Sequence, residues 1–344
     1  MRSYRTKYVF LIIITVLLLF SVNILSAKDT KKIMIVHSYN SQYMWVKEYT
    51  SGLKDGFEKY GLSKYNLIIK NFYMNAKRYP ELLKKKGEQA YSVYRDFKPD
   101  LIIAADDAAQ KFFIVPYVSN RVRTPVVFLG VKADPSVYGY PSKNVTGVLE
   151  ELNFLESLIL VHMLSPSSKT YGIISDESIT ARILVKERLL KERLLIENVL
   201  PFFKFKVLYS TNDFEKWKKY VKKLQQEVDV IYLLCYFSLK DRNGNYLDPE
   251  IVLNWYLKNS KKPEATPLIF TVKEGVLCSY GESSYIQGMN AAKIVSDILV
   301  KKLNVKNISI VKPKQALRAI NRKRAKELGI KIPEELIPGT VFYD

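Results

Sequence analysis

At 344 residues the chain is long for one core and suits two lobes, and its apolar fraction of 48% excludes a disordered polypeptide. The formal net charge of +20 would fit nucleic acid or an anionic membrane, but the lysines are spread over most predicted helices, as at Lys84-Lys85-Lys86, Lys218-Lys219 and Lys222-Lys223. No RNP, zinc-finger or helix-turn-helix signature accompanies them, so solvated helix faces are favoured and no nucleic-acid partner is expected.

Residues 1–30 read as a targeting segment. Arg2, Arg5 and Lys7 precede an apolar run from Tyr8 to Leu25, followed by Ser26-Ala27 and then charge. The run is close to bilayer-spanning length, so a cleaved signal peptide and an uncleaved N-terminal anchor both fit. Either places the rest of the chain in the periplasm or on the extracytoplasmic face of the membrane.

From Lys32 onward strands and helices alternate. Strands are expected at 32–37, 66–72, 101–104 and 126–129, with helices after Trp45, over 82–97 and over 108–115. The stretch 124–148 then breaks at Gly130, Asp134-Pro135, Gly139 and Pro141 and reads as the crossover into a second lobe. There the alternation restarts, with helices at 153–163, 179–195, 283–302 and 321–328 and strands at 170–175, 203–209, 228–234, 268–271 and 276–280. The fold class is therefore α/β, two Rossmann-like lobes with parallel sheets.

Open α/β sheets bind ligands beyond the carboxyl ends of their strands. That rule selects Ser38, Tyr39 and Trp45, then Asp106 and Asp107, then Gly130 and Val131 from the first lobe. From the second it selects Asp176, Glu177, Ser178, Tyr236, Thr271 and Lys273, with Tyr280 on the returning strand. Aromatic walls, hydroxyls and carboxylates together suit an amino acid or another small polar solute. Several have plainer structural readings: Asp107, Asp176 and Ser178 as helix caps, Trp45 as helix packing and His37 as a satisfied polar residue. Catalysis is disfavoured, since no GxSxG, GxxxxGK[ST] or post-strand GxGxxG is present. With two histidines and no CxxC or HExxH, no metal or cofactor is expected. Cys235 and Cys278 are read as two buried thiols, with a disulfide as the alternative.

The stretches 37–39 with Trp45, 73–78, 100–107, 125–131, 144–148, 280–292 and 320–333, taken in order, resemble the ABC-transporter substrate-binding family of type I periplasmic-binding fold, a group that includes binders of aromatic amino acids. The resemblance implies a flytrap-like pair of lobes joined by a multi-strand hinge and closing on a solute, with 31–146 and 276–306 expected in the first lobe and 147–275 and 307–344 in the second, and delivery to a membrane permease with a cytoplasmic ATPase. The branch carrying His37-Ser38-Tyr39 and Asp106-Asp107 also resembles extracytoplasmic sensor modules. That keeps a transmembrane sensor open as the partner, with a free-standing binding protein favoured because no kinase or cyclase region follows Asp344.

Overall fold

The computed structural model describes residues 28–313 and 316–344, so the predicted targeting run and Ser26-Ala27 lie outside the described residues. Among the described residues no helix is long and apolar enough to cross a membrane.

The strands form two sheets. The first contains β1 (Thr30–His37), β2 (Asn66–Tyr73), β3 (Leu101–Ala105), β4 (Val126–Val131) and β5 (Val145–Leu149), in the order β2-β1-β3-β4-β5, all parallel. Every residue of β3 and β4 is buried, which is why both read as unbroken apolar runs and not as alternation. The second sheet contains β6 (Thr170–Ser175), β7 (Lys204–Ser210), β8 (Val230–Leu233), β9 (Glu264–Thr266), β10 (Cys278–Gly281), β11 (Leu317–Asn321) and β12 (Thr340–Tyr343), in the order β12-β11-β10-β9-β8-β6-β7. Among the described residues only β10 and β11 pair antiparallel there. The expected α/β architecture of two parallel-sheet lobes is present.

The helices are α1 (Met44–Lys59), α2 (Leu83–Phe97), α3 (Asp106–Ala109, continued by a π-helical stretch to Val118), α4 (Phe154–Leu164), α5 (Ile179–Ile183), α6 (Leu190–Val199), α7 (Phe214–Glu227), α8 (Pro249–Asn259), α9 (Ile269–Lys273), α10 (Ser284–Leu299) and α11 (Arg322–Glu327). A π-helical stretch, Leu184–Leu189, joins α5 to α6, so the single long helix expected over 179–195 is locally widened.

The first lobe is completed late in the chain. Helix α10 lies against α1 and β4, and the two helices touch backbone to backbone. A Cβ on Gly52 would sit 2.0 Å from the Tyr285 carbonyl oxygen, and one on Gly288 would sit 2.1 Å from that of Tyr49. Glycine at both positions is what permits this approach.

The described residues place the chain in each lobe in turn, with three passages between them. It leaves β5 after Leu149, returns between β10 and α10, and crosses again after a segment that lies along β5, where Val311 donates to the Gly147 carbonyl and Leu149 donates back to Val311. The second passage falls later than the expected boundary at residue 276, because β10 pairs with β9 and β11 in the larger sheet. The third falls later than residue 307 for the matching reason, the pairing of 308–311 with β5.

One expected strand is a helix. Leu268 is the N-cap of α9 and Ile269 to Thr271 lie within it, and the strand before it is β9. An apolar run this short carries no period that separates a strand from a buried helical turn. Strands β11 and β12 were not foreseen. Cys235 and Cys278 are both buried and both free.

Candidate functional site

In each sheet the strand order reverses at one point, between β1 and β3 in the first and between β6 and β8 in the second. Ligands of open α/β sheets bind outside the carboxyl ends of the strands at such points. The loops after these four strands meet between the lobes. Tyr39, after β1, reaches across so that its hydroxyl lies 2.8 Å from Thr180 Oγ1 at the start of α5. Arg78, after β2, donates to the carbonyl of Leu247 in the second lobe. Tyr43 meets the edges of Phe237 and Phe270 at centroid distances of 5.0 and 5.4 Å. Beside these contacts lies a cavity of about 650 Å³, lined by Tyr39, Tyr43, Lys77 and Arg78 from the first lobe and Phe237, Asp248, Glu250 and Leu253 from the second. Its size is that of a small-molecule site.

Lys77 sits where the lobes meet. Its residue is only 8% exposed, and its ammonium lies 3.9 to 4.6 Å from the ring centroids of Tyr39, Tyr43 and Phe237. It donates to the Tyr43 hydroxyl at 2.8 Å, and burial lowers its pKa to about 8.

Behind the cleft a buried charge cluster joins the first lobe to two of the passages. Asp106 is fully buried at φ +65°, in the left-handed region that Asp tolerates better than most residues. Trp45 Nε1 donates to its Oδ2 at 3.3 Å, and Lys132 Nζ lies 3.6 Å from its Oδ1. Lys132 is paired with Glu150, just past the first passage, and its ammonium lies 4.9 Å from the Trp45 ring. Gln287 ties the cluster together, accepting from Gly130 N and donating to the Leu149 carbonyl and to Glu282. Gly130 is itself at φ +67°, and a Cβ there would meet Trp45 at 2.9 Å. Burial alone would depress Lys132, but Glu150 and Asp106 outweigh it and hold it above its usual range. Burial raises Asp106 to about 8, with Lys132 opposing, and raises Glu282 to about 8, with Glu150 adding to the effect.

These two carboxyls give a pH dependence of known sign. Each keeps its proton in the folded chain after the unfolded chain has lost it, so stability is lost as pH rises toward about 8. Each contributes up to about 1.4 kcal/mol per pH unit. The melting temperature is therefore expected to fall between about pH 6.5 and 8, and Asp106→Asn should flatten part of that slope. A flat wild-type profile across this window would show both groups ionising in their ordinary range. His37 does not interfere there, because burial lowers it to about 4. It lies between Tyr49 and Tyr73, with Nδ1 2.6 Å from the Tyr49 hydroxyl and Nε2 3.0 Å from Asn71 Oδ1. That is the satisfied polar residue expected.

The site residues selected from sequence divide into three groups. Tyr39 lines the cavity, and Asp107 and Ser178 line a small recess beside it with Lys77 and Thr180. A second group supports the cleft from behind. Ser38 donates to the Ala105 carbonyl and accepts from Ala109 N. Trp45, Asp106 and Gly130 belong to the charge cluster, and Val131 is buried in β4. Asp176 accepts from Ser178 N, Phe237 N and Ser238 N, which fixes the loop carrying Phe237. Tyr236 is buried behind Phe237 and donates to Glu274.

The third group lies elsewhere. Thr271 is buried on α9, donating to the Leu268 carbonyl, because its segment is helical and not a strand end. Lys273 is exposed and borders a separate cavity of about 540 Å³, 3.9 Å from Glu48. Glu177 is exposed, with its backbone held by Asn212. Tyr280 is held at the second passage through its backbone, by Ser157. Asp107 is not the cap of the following helix. It lies in the first turn of α3 and accepts from Lys132 N, Ala133 N and the Tyr138 hydroxyl. Ser178 does cap α5, accepting from Ala181 N. The selection missed Tyr43, Lys77, Arg78, Thr180 and Phe237. Lys77 and Arg78 follow the carboxyl end of β2, so the strand-end rule extended to that strand would have found them.

The chain belongs to the ABC transporter substrate binding protein family, whose family model matches residues 33–340. Solved structures share the fold at low identity. One is described as an ABC domain in complex with L-Trp from Streptococcus pneumonia, 17% identical with a TM-score of 0.70, the match covering 92% of this chain and 100% of that one. Another is a conserved domain protein from Vibrio cholerae, 19% identical with a TM-score of 0.70 and the same coverage. A third is the ligand-free, open structure of a substrate binding protein with adhesive properties from Clostridium difficile, 17% identical with a TM-score of 0.63, covering 91% of this chain and 99% of that one. No curated protein sequence matches the chain.

Proposed function

We propose that the chain is an extracytoplasmic solute-binding protein of an ABC transporter. It captures a small polar or amino-acid-like solute between its lobes and presents it to a membrane permease. The observation that carries this reading is the cavity of about 650 Å³ walled by both lobes beside the switch points of both sheets. Solute touching both walls would favour the closed arrangement by its extra contacts, with the three passages as the hinge. The neighbour solved with L-Trp supports an amino-acid-like ligand. The apolar run at 8–25 after a basic start supports export, whether it is cleaved or kept as an anchor.

A thermal-shift screen of the full chain in mild detergent, against amino acids, small peptides, sugars, nucleosides and polyamines, tests this. A cognate solute at a hundredfold excess over its dissociation constant should stabilise the fold by about 2.7 kcal/mol. A shift with one chemical class supports the reading. No shift with any class counts against it and favours the sensor module that meets a protein partner.

A further inference from the structure

We propose that Lys77 is the residue that holds the solute, and that the solute is a small organic carboxylate with a ring-sized apolar body. This deepens the solute-binding reading and rests on it. An ammonium carries three donors. Among the described residues Lys77 gives one of them to a hydrogen-bond partner, the Tyr43 hydroxyl, and pairs with no carboxylate. Aromatic faces attract a cation but do not neutralise it, and a buried charge without a counter-ion is costly. The remaining acceptor is therefore to be supplied from the cavity that Lys77 lines.

The acidic groups nearby are committed elsewhere. Asp176 is taken up by three backbone N–H groups, and Asp106 faces Trp45 and Lys132. Asp176 acts on Lys77 only through its charge, and Lys132 acts with the opposite sign. Asp248, Glu250 and Glu274 lie on the second-lobe wall of the same cavity; Asp248 caps α8, and Glu274, raised to about 7 by burial with Lys77 opposing, accepts from the Tyr236 hydroxyl. A solute ammonium placed against Tyr39, Tyr43 and Phe237 would meet the cation already there, so the site favours a solute whose anionic group reaches Lys77 and whose apolar body packs on the rings. Leu253 and Met44 extend the apolar part of the wall. Delivering a carboxylate also reverses the depressed pKa of the lysine, so binding above about pH 8 takes up a proton.

The test uses the full chain in detergent with matched carboxylate, amide and amine forms of indolyl, phenyl and butyl compounds, together with the amino acids. Carboxylate-bearing members should bind, and their amide and amine counterparts should not. Calorimetry of the wild type at about pH 8.5, in buffers of different ionisation enthalpy, should register proton uptake. Lys77→Met should weaken carboxylate binding about 30-fold or more, whereas Lys77→Arg should keep most of it. The proton-uptake measurement needs no variant, so it stands if Lys77→Met fails to fold. Amide or amine forms binding as well as carboxylates, or a folded Lys77→Met with undiminished carboxylate affinity, would overturn the assignment and leave the solute-binding reading standing. Failure of every probe, combined with failure of the broader screen, would remove both.

Discussion

Replacing Arg324 by methionine should lower the free energy of unfolding by about 3–5 kcal/mol, the range expected when one partner of a buried ion pair is removed. Arg324 is 2% exposed and grips Glu264 through Nε and Nη2 of its guanidinium, at 2.8 and 3.0 Å. Its other donors satisfy the carbonyls of Leu257 and Ser260 at the end of α8. Glu264 is fully buried at the start of β9 and also accepts from Leu277 N before β10. One side chain therefore ties together α11, α8 and the middle of the larger sheet. Methionine would strand the Glu264 carboxylate and orphan two carbonyls. Urea unfolding should show a lower midpoint with little change in slope. Adding Glu264→Gln to Arg324→Met should recover part of the loss, and Arg324→Lys should fall between, since a single ammonium cannot reproduce the fork. A loss under about 1 kcal/mol for Arg324→Met would mean that water or local rearrangement already relieves Glu264.

Asp176→Ala is expected to cost about 3 kcal/mol or more and to weaken solute binding in the same variant. Its carboxylate is 1% exposed and meets three backbone donors, from Ser178 at 3.0 Å, Phe237 at 2.7 Å and Ser238 at 3.0 Å. An unsatisfied buried donor costs about 1–3 kcal/mol, and the alanine variant leaves three. The second effect follows from position. The freed loop carries Phe237, which contacts both Tyr43 and Lys77 across the interface. Asp176→Asn keeps an acceptor oxygen and should be milder on both counts. Thermal unfolding and titration with whichever solute the screen identifies would separate the two. Intact affinity in a destabilised Asp176→Ala would show that the loop holds its place without this anchor.

The parallel-sheet architecture was legible because β3 and β4 are continuous apolar runs buried on both faces, while α1 spaces Trp45, Tyr49, Leu53 and Phe57 along one face. Other elements carried a weaker signal. Strand β9 is three residues long, and the apolar stretch that looked like a strand is one buried helical turn beside it. Strand β11 contains Arg318 and is only partly buried at its start. The candidate site was legible where it follows the strand-end rule, at Tyr39, Asp106, Asp107, Asp176 and Ser178. What sequence could not give was which side of each loop faces the cleft. Asp106 and Asp107 are adjacent, yet one faces Trp45 and Lys132 while the other holds backbone N–H groups of 132 and 133. Nor does a lone lysine after an edge strand announce that three rings from two lobes will surround it.

The glycine-lined contact between α1 and α10 also bears on how the chain acquires its shape. Tyr285 donates to Asp55 across a separation of 230 residues, and the backbones at Gly52 and Gly288 meet over a similar span. The first lobe thus cannot be finished until most of the second has been synthesised. Closing so long a loop is paid in chain entropy before the helix contact returns anything, which places this lobe among slow-forming, high-contact-order structures. A nascent chain ending before Ser284 would leave the groove of α1 uncovered, and the two lobes should mature together and not one after the other.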